Sequence, residues 1–232
     1  MLGLPEAVTA CLFDLDGVLT QTQKVHAAAW KQMFDQFLAE RGGGSFDPVV
    51  DYDEYVDGKP RNDGVRSFLE SRGIKLPEQE IVDLGNRKNQ LVLEMIHSRG
   101  VEPYEGSVRY VKAARQAGLR RAVVSSSTNC HDVLVAAGIS DLFEDVIDGH
   151  VTEREHLNGK PAPDTYLAGA RILGVEPAQA AVFEDALAGV ESGRAGGFGI
   201  VVGVDRAGQA DALRQHGADV VVSDLAELLH AG

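Results

Sequence analysis

VTACLFDLDGVLT, residues 8–20, is an apolar run that ends in two carboxylates and a glycine turn. A short apolar run bounded by turn residues reads as a buried strand. Open α/β sheets bind their ligands beyond the carboxyl ends of strands, so Asp14 and Asp16 stand where chemistry is placed. Asp51-Tyr52-Asp53 repeats the spacing within a polar stretch that no strand precedes, and it reads as a solvated loop.

Beyond residue 100 short apolar segments alternate with amphipathic ones, as a doubly wound sheet requires. The predicted strands are Arg121–Ser125, Phe143–Ile147, Ala180–Phe183, Gly199–Val202 and Asp219–Val222. Between Thr20 and Tyr104 the period changes. Gln23–Glu40, Asn62–Arg72 and Glu78–Arg99 carry apolar residues at helical spacing, such as Val25, Ala29, Met33 and Phe37. The expected fold is therefore α/β: a doubly wound, Rossmann-like parallel-sheet core from residues 1–20 and 104–232, with a helical cap domain, 21–103, inserted after the first strand. Such an insertion belongs over the carboxyl end of that strand as a lid. Gly42-Gly43-Gly44-Ser45 reads as a flexible connection inside the lid.

The chain has 232 residues, 44% of them hydrophobic, enough for one domain with an insertion or for two small ones. No apolar run approaches the ~18 residues of a membrane span, and the amino terminus lacks the features of a signal peptide, so a cytoplasmic protein is expected. Two cysteines, Cys11 and Cys130, make neither a disulfide framework nor a metal quartet. A formal net charge of −13 with no basic stripe disfavours nucleic acid and anionic membrane as partners. An anionic substrate would need a local cluster of cations.

Three further segments fall at predicted strand or helix ends. Ser125-Ser126-Ser127-Thr128-Asn129 offers hydroxyls, an amide and backbone N–H groups at a helix start, either as a phosphate cradle or as a simple cap. Lys160 in GKPAPD is held by a proline-stiffened turn; alone it would read as a surface lysine. Glu184-Asp185 follows an apolar strand and suits a helix cap or a metal equally. Together the four segments suit phosphoryl transfer through an aspartyl-phosphate. A carboxylate attacking phosphorus meets another anion, so Mg²⁺ and a lysine must neutralise charge while donors hold the phosphoryl oxygens. Asp14, Glu184, Asp185 and a backbone carbonyl supply hard oxygen ligands, and Asp16 is free to move protons.

DLDGVLT, SSSTN, GKPAPD and FEDALAG match, in order and spacing, the four motifs of the haloacid dehalogenase-like phosphotransferases. The place of the helical insertion resembles the subfamily that includes β-phosphoglucomutase. The resemblance implies Asp14 as nucleophile, Asp16 as general acid/base with its carbonyl on Mg²⁺, Ser125 and Lys160 at the transferred phosphate, and Glu184 and Asp185 at the metal. Ser126 and Asn129 belong to the same phosphate turn. Thr22, His26 and Trp30 share one helix face at i, i+4, i+8. They resemble the subfamily's hinge and lid helix, where the threonine and histidine assist the second aspartate. Gly58-Lys59-Pro60-Arg61 resembles its substrate loop, with Arg61 holding a second phosphate, and Lys88 resembles a lid lysine that reaches the site. The implied activity is interconversion of β-glucose 1-phosphate and glucose 6-phosphate by a monomer acting on a phosphorylated sugar. A sugar-phosphate phosphatase on the same core is the alternative, and a non-catalytic binding module fits less well because every motif position is filled. The chain departs from close relatives at Asp57, where they often carry lysine, at Thr128, which replaces a lysine, and at Gly64, which replaces a polar residue.

Other apparent motifs fail. The glycines from Gly193 to Gly203 precede a predicted strand and miss the dinucleotide spacing. His150 and His156 read as loop residues without a metal quartet around them. Cys130 reads as a packed helix residue.

Overall fold

The computed structural model describes residues 2–57 and 59–230, so Gly58 lies outside the described residues. The strands are β1 (Ala10–Phe13), β2 (Arg120–Val124), β3 (Asp145–Ile147), β4 (Ala180–Glu184), β5 (Ile200–Val204) and β6 (Val220–Val222). They form one parallel sheet in the order β3-β2-β1-β4-β5-β6, the doubly wound order. All six sequence-predicted strands are present, with ends shifted by one or two residues. β1 is central: Phe13 lies opposite Val123 on one side and Phe183 on the other. Its side chains are buried on both faces, which is why the sequence is apolar at successive positions and not at alternate ones.

The helices are α1 (Gln23–Ala39), α2 (Arg61–Ser71), α3 (Glu78–Arg99), α4 (Glu105–Gln116), α5 (Cys130–Ala136), α6 (Gly149–Arg154), α7 (Asp164–Ile172), α8 (Leu187–Ala195) and α9 (Ala210–His216). Cys11 and Phe13 pack with Tyr110 and Val111 of α4 and Val133 of α5 on one face of the sheet. Ala10 and Leu12 pack with Tyr166 of α7, Val190 of α8 and Leu213 of α9 on the other. Among the described residues no helix is long and apolar enough to cross a membrane.

Between β1 and β2 the chain builds a second hydrophobic core. Trp30, Met33, Phe34 and Phe37 of α1 meet Val65, Phe68 and Leu69 of α2 and Ile81 and Leu84 of α3. Phe34 stands 4.1 Å from Phe68 between ring centroids, and Phe46 lies 5.3 Å from Phe34. The segment after the glycine run is therefore anchored. Phe46 is fully buried, and its N–H donates to Asp35 at 2.8 Å.

Asp51-Tyr52-Asp53 corrects the reading as a solvated loop. Asp51 is buried and accepts from Arg72 at 2.7 Å and from the Asp47 N–H at 2.8 Å, while Tyr52 begins a π-helical turn, Tyr52–Val56, and is buried too. A distant cation, Arg72, and an aromatic core make burial possible, and neither is visible in the local pattern. Only Asp53 of the three is exposed. His150 lies in the short helix α6, capped by Asp148, and not in a loop.

The helical segment leaves and rejoins the sheet beside the carboxylate turn. Gln21 N–H donates to Glu102 at 2.9 Å and Tyr104 N–H to Leu19 at 2.9 Å, so the outgoing and returning strands are tied.

Candidate active site

β1 and β4 are neighbours, so Asp14, which follows β1, and Glu184-Asp185, at the end of β4, emerge side by side at the carboxyl edge. Asp14 continues the ladder by donating its N–H to Phe183 at 2.9 Å. The chain then turns at Gly17, whose φ of +86° favours glycine. The same glycine is required by space, because a Cβ there would lie 1.8 Å from Asp185 Oδ2. Ligand oxygens of Asp14, Glu184 and Asp185 all lie within 4.8 Å of one another, and all three residues are buried.

Lys160 enters this cluster from the turn before α7. Its Nζ donates to Asp14 Oδ1 at 2.6 Å, Glu184 Oε1 at 2.5 Å and the Val124 carbonyl at 3.2 Å. Burial opposes its charge, but Asp14 and Glu184 outweigh burial and hold the ammonium above its usual range. Tyr166 of α7 also donates to Glu184 Oε1, at 2.9 Å, and the Ala186 N–H reaches Oε2 at 3.2 Å. One ammonium against three close carboxylates leaves the cluster short of positive charge. Burial pushes the Asp14 carboxyl well up, with Lys160 opposing and Glu184 and Asp16 adding to the rise. Burial does the same to Asp185, with Asp57 the leading negative neighbour. An all-oxygen, cation-poor, buried donor set fits a hard divalent ion.

Asp16 faces the helical segment. Thr22 Oγ1 donates to its Oδ1, and Thr20 and Thr22 hydroxyls lie 2.8 Å apart. His26 Nε2 is 3.6 Å from the same carboxylate oxygen, while His26 Nδ1 is 2.8 Å from Lys88 Nζ. While Lys88 is protonated it can only donate, so Nδ1 then accepts and the ring proton sits on Nε2, turned towards Asp16. Burial and then Lys88 push His26 down to about 4, so the imidazole is neutral near pH 7. Lys88 is itself buried, 4.8 Å above the Trp30 ring, and burial brings it down to about 7.

Ser125, buried after β2, donates its N–H to Ile147 at 2.9 Å and accepts from the Ser127 N–H at 3.1 Å through Oγ. Asn129 Nδ2 donates to Asn89 of α3 at 2.7 Å, a direct link between the Ser125–Asn129 segment and the helical segment. Ser125 and Asn129 line one cavity of about 840 Å³ together with Asp14, Asp16, His26, Lys88, Lys160, Glu184 and Asp185, as do Ser126 and Arg61. Arg61, at the start of α2, has a buried Nε without a hydrogen-bond partner. Every described site residue except Thr22 lines the cavity itself, and Thr22 touches it through Asp16. The cavity's size falls within the range of small-molecule sites.

The haloacid dehalogenase-like hydrolase description matches residues 8–197. The chain belongs to the haloacid dehalogenase-like hydrolase family. It is 53% identical to a β-phosphoglucomutase of Mycobacterium tuberculosis over 99% of its own length and 94% of the relative's. A β-phosphoglucomutase of Bacillus subtilis is 33% identical, covering 95% and 93%. The crystal structure of a Clostridium difficile β-phosphoglucomutase superposes with a TM-score of 0.79 at 27% identity, over 95% of this chain and 93% of that one.

Several residues of the site escaped the sequence reading. Tyr166, Asn89 and Tyr52 touch it, and Asp57, singled out only as a departure, lines the cavity with burial pushing its carboxyl up to about 7. Asp57 was detectable as an acid beside the substrate-loop glycine. The others carry no spacing signal, because their partners lie far away in the chain.

Proposed function

We propose that this family member is a Mg²⁺-dependent β-phosphoglucomutase, interconverting β-glucose 1-phosphate and glucose 6-phosphate through β-glucose 1,6-bisphosphate. The near full-length identity to the mycobacterial enzyme carries this reading, and the walled cavity with cations on both sides agrees with it. Residues 21–103 act as a cap domain over a core of 1–20 and 104–232. The protein works as a cytoplasmic monomer, with neither nucleic acid nor membrane as partner.

Asp14 is the nucleophile. Its carboxylate oxygen bonds to phosphorus of the bisphosphate, the bond from phosphorus to the sugar oxygen breaks, and Asp16 gives that oxygen its proton. In the return half Asp16 takes the proton of the acceptor hydroxyl as that oxygen attacks the aspartyl-phosphate, and Asp14 is released. Thr22 and neutral His26 orient Asp16, with Lys88 in its protonated form fixing the tautomer of His26. Lys160 offsets charge on Asp14 and, with Ser125, Ser126 and Asn129, holds phosphoryl oxygens. Gly58, Trp30, Arg61 and Lys88 bind substrate. Asp14, the Asp16 carbonyl, Glu184 and Asp185 would hold Mg²⁺, which supplies charge neutralisation at the transferring phosphoryl group. Closure of the helical segment over the cavity would keep water from the aspartyl-phosphate until a sugar hydroxyl arrives.

The test is to incubate the protein with Mg²⁺, β-glucose 1-phosphate and a trace of the bisphosphate, then measure glucose 6-phosphate against free phosphate. Glucose 6-phosphate in excess is expected. Free phosphate in excess across many sugar phosphates makes the protein a phosphatase, and activity on neither rejects both readings.

A further inference from the structure

The loop after β5 reaches both turns that carry the carboxylates. Asp205 folds it tightly: its Oδ1 accepts from the N–H groups of Gly208 at 2.7 Å, Gln209 at 2.8 Å and Ala207 at 3.3 Å. Two side chains leave this rigid loop towards the site. Arg206 Nε donates to the Gly17 carbonyl at 2.8 Å, and Gln209 Nε2 donates to the Asp185 carbonyl at 3.0 Å. The first acceptor belongs to the turn of Asp14 and Asp16, the second to the turn of Asp185.

Arg206 is fixed from several directions. Its guanidinium lies 3.6 Å from the Tyr104 ring centroid, and Nη1 donates to the Ser223 carbonyl at 2.6 Å. Its Nη2 is buried without a partner, an unfavourable condition that the position nevertheless retains. The two turns it helps to join have no slack, since Asp185 Oδ2 occupies the space that a side chain on Gly17 would need. Like charges concentrated in those turns push them apart, and a bracket behind them opposes that push.

We propose that Arg206 and Gln209 form a clamp that sets the spacing between the Asp14–Asp16 turn and Asp185, and thereby the affinity of the site for its divalent ion. Both are positioning residues: each acts through a backbone carbonyl and touches neither substrate nor reacting atoms. The inference rests on the metal reading above. Backbone carbonyls held at fixed separation keep the two ligating turns in register before the ion arrives, so less of the binding free energy goes into assembling them.

The experiment measures Mg²⁺ binding by calorimetry on the full-length, metal-stripped protein without substrate. Gln209→Ala and Arg206→Leu should each raise the Mg²⁺ Kd by ~10-fold, with Arg206→Lys in between. In chelator, Gln209→Ala should melt where the unaltered protein melts. In turnover the lost rate should return at saturating Mg²⁺ with KM for the sugar phosphate unchanged. A lowered melting temperature with an unchanged Kd in Gln209→Ala overturns the proposal, because the loop is then only a structural tie. Should Arg206→Leu fail to fold, Gln209→Ala and Arg206→Lys decide it. If the unaltered protein binds no Mg²⁺, the metal reading fails and the clamp with it, whereas equal binding by all variants removes the clamp alone.

Discussion

Asp14 and Asp16 are two positions apart, yet their surroundings separate their work. Asp14 meets Lys160 and the buried acids, whereas Asp16 meets Thr22 and His26. Replacing Asp14 by Asn should therefore abolish the phosphoenzyme, since an amide is a poor nucleophile and a weaker ligand. Asp16→Asn should slow turnover by ~10²- to 10⁴-fold and leave phosphate on Asp14 once transferred. Mass spectrometry of trapped protein checks both, and phosphate found on any other residue rejects the assignment. Arg61 separates the two enzyme readings. A mutase must grip the second phosphate of a turning intermediate, and a guanidinium with a buried, unpartnered Nε is suited to that. Arg61→Ala should lower isomerisation by at least ~10²-fold, about 2.7 kcal/mol, while phosphate release falls far less. Equal losses would return Arg61 to a general structural role.

Helices α1 and α3 meet at the site through the polar contact of His26 with Lys88, and its state depends on pH. Lys88 titrates at about 7 in the folded protein because it is buried, Asp16 opposing the fall and Arg61 adding to it. An unfolded lysine titrates near ~10.4, so between those values the unfolded chain holds a proton that the folded one lacks. Stability from this residue consequently rises with pH across that window, and below about 7 the full cost of a buried charge applies. Lys88→Met should remove that slope. Melting temperatures of both proteins from pH 7 to 10 give the test: the difference, unaltered minus variant, should grow with pH, and a constant difference would mean that Lys88 stays charged. Elements such as β1, α1 and α3 were legible because burial on one or both faces imposes a period on the sequence. Asp51 was misread for the converse reason, since its burial depends on Arg72, 21 positions away. Distance along the chain also hid the Asn129–Asn89 link, at 40 positions, and the Arg206–Gly17 link, at 189. The motif residues were legible because strand ends place them, but their supporting partners follow no period.

The molecule joins a parallel-sheet core to a helical segment with its own aromatic core, and the site lies where the two meet. Part of its net charge of −13 is concentrated there, where Asp14, Glu184 and Asp185 crowd around one lysine. A divalent ion bound only by the folded state stabilises it by mass action, about 2.7 kcal/mol at a hundredfold excess over Kd. Adding Mg²⁺ to metal-stripped protein should therefore raise its melting temperature. Burial and the neighbouring acids hold the Asp185 carboxyl above its unfolded value, so the folded state without metal binds protons that the unfolded chain has released. Stability of that form must then fall as pH rises above the ordinary carboxylate range, and Mg²⁺ should flatten the fall. Asp185→Asn removes one of the opposing charges and one of the ligands together. It should melt higher than the unaltered protein in chelator at pH 8, yet gain almost nothing from Mg²⁺. Thermal unfolding of both proteins with chelator and with Mg²⁺ gives four melting temperatures that decide the matter. A variant that melts lower in chelator would mean that Asp185 is satisfied by the protein alone, and that the carboxylate cluster is not built around a cation.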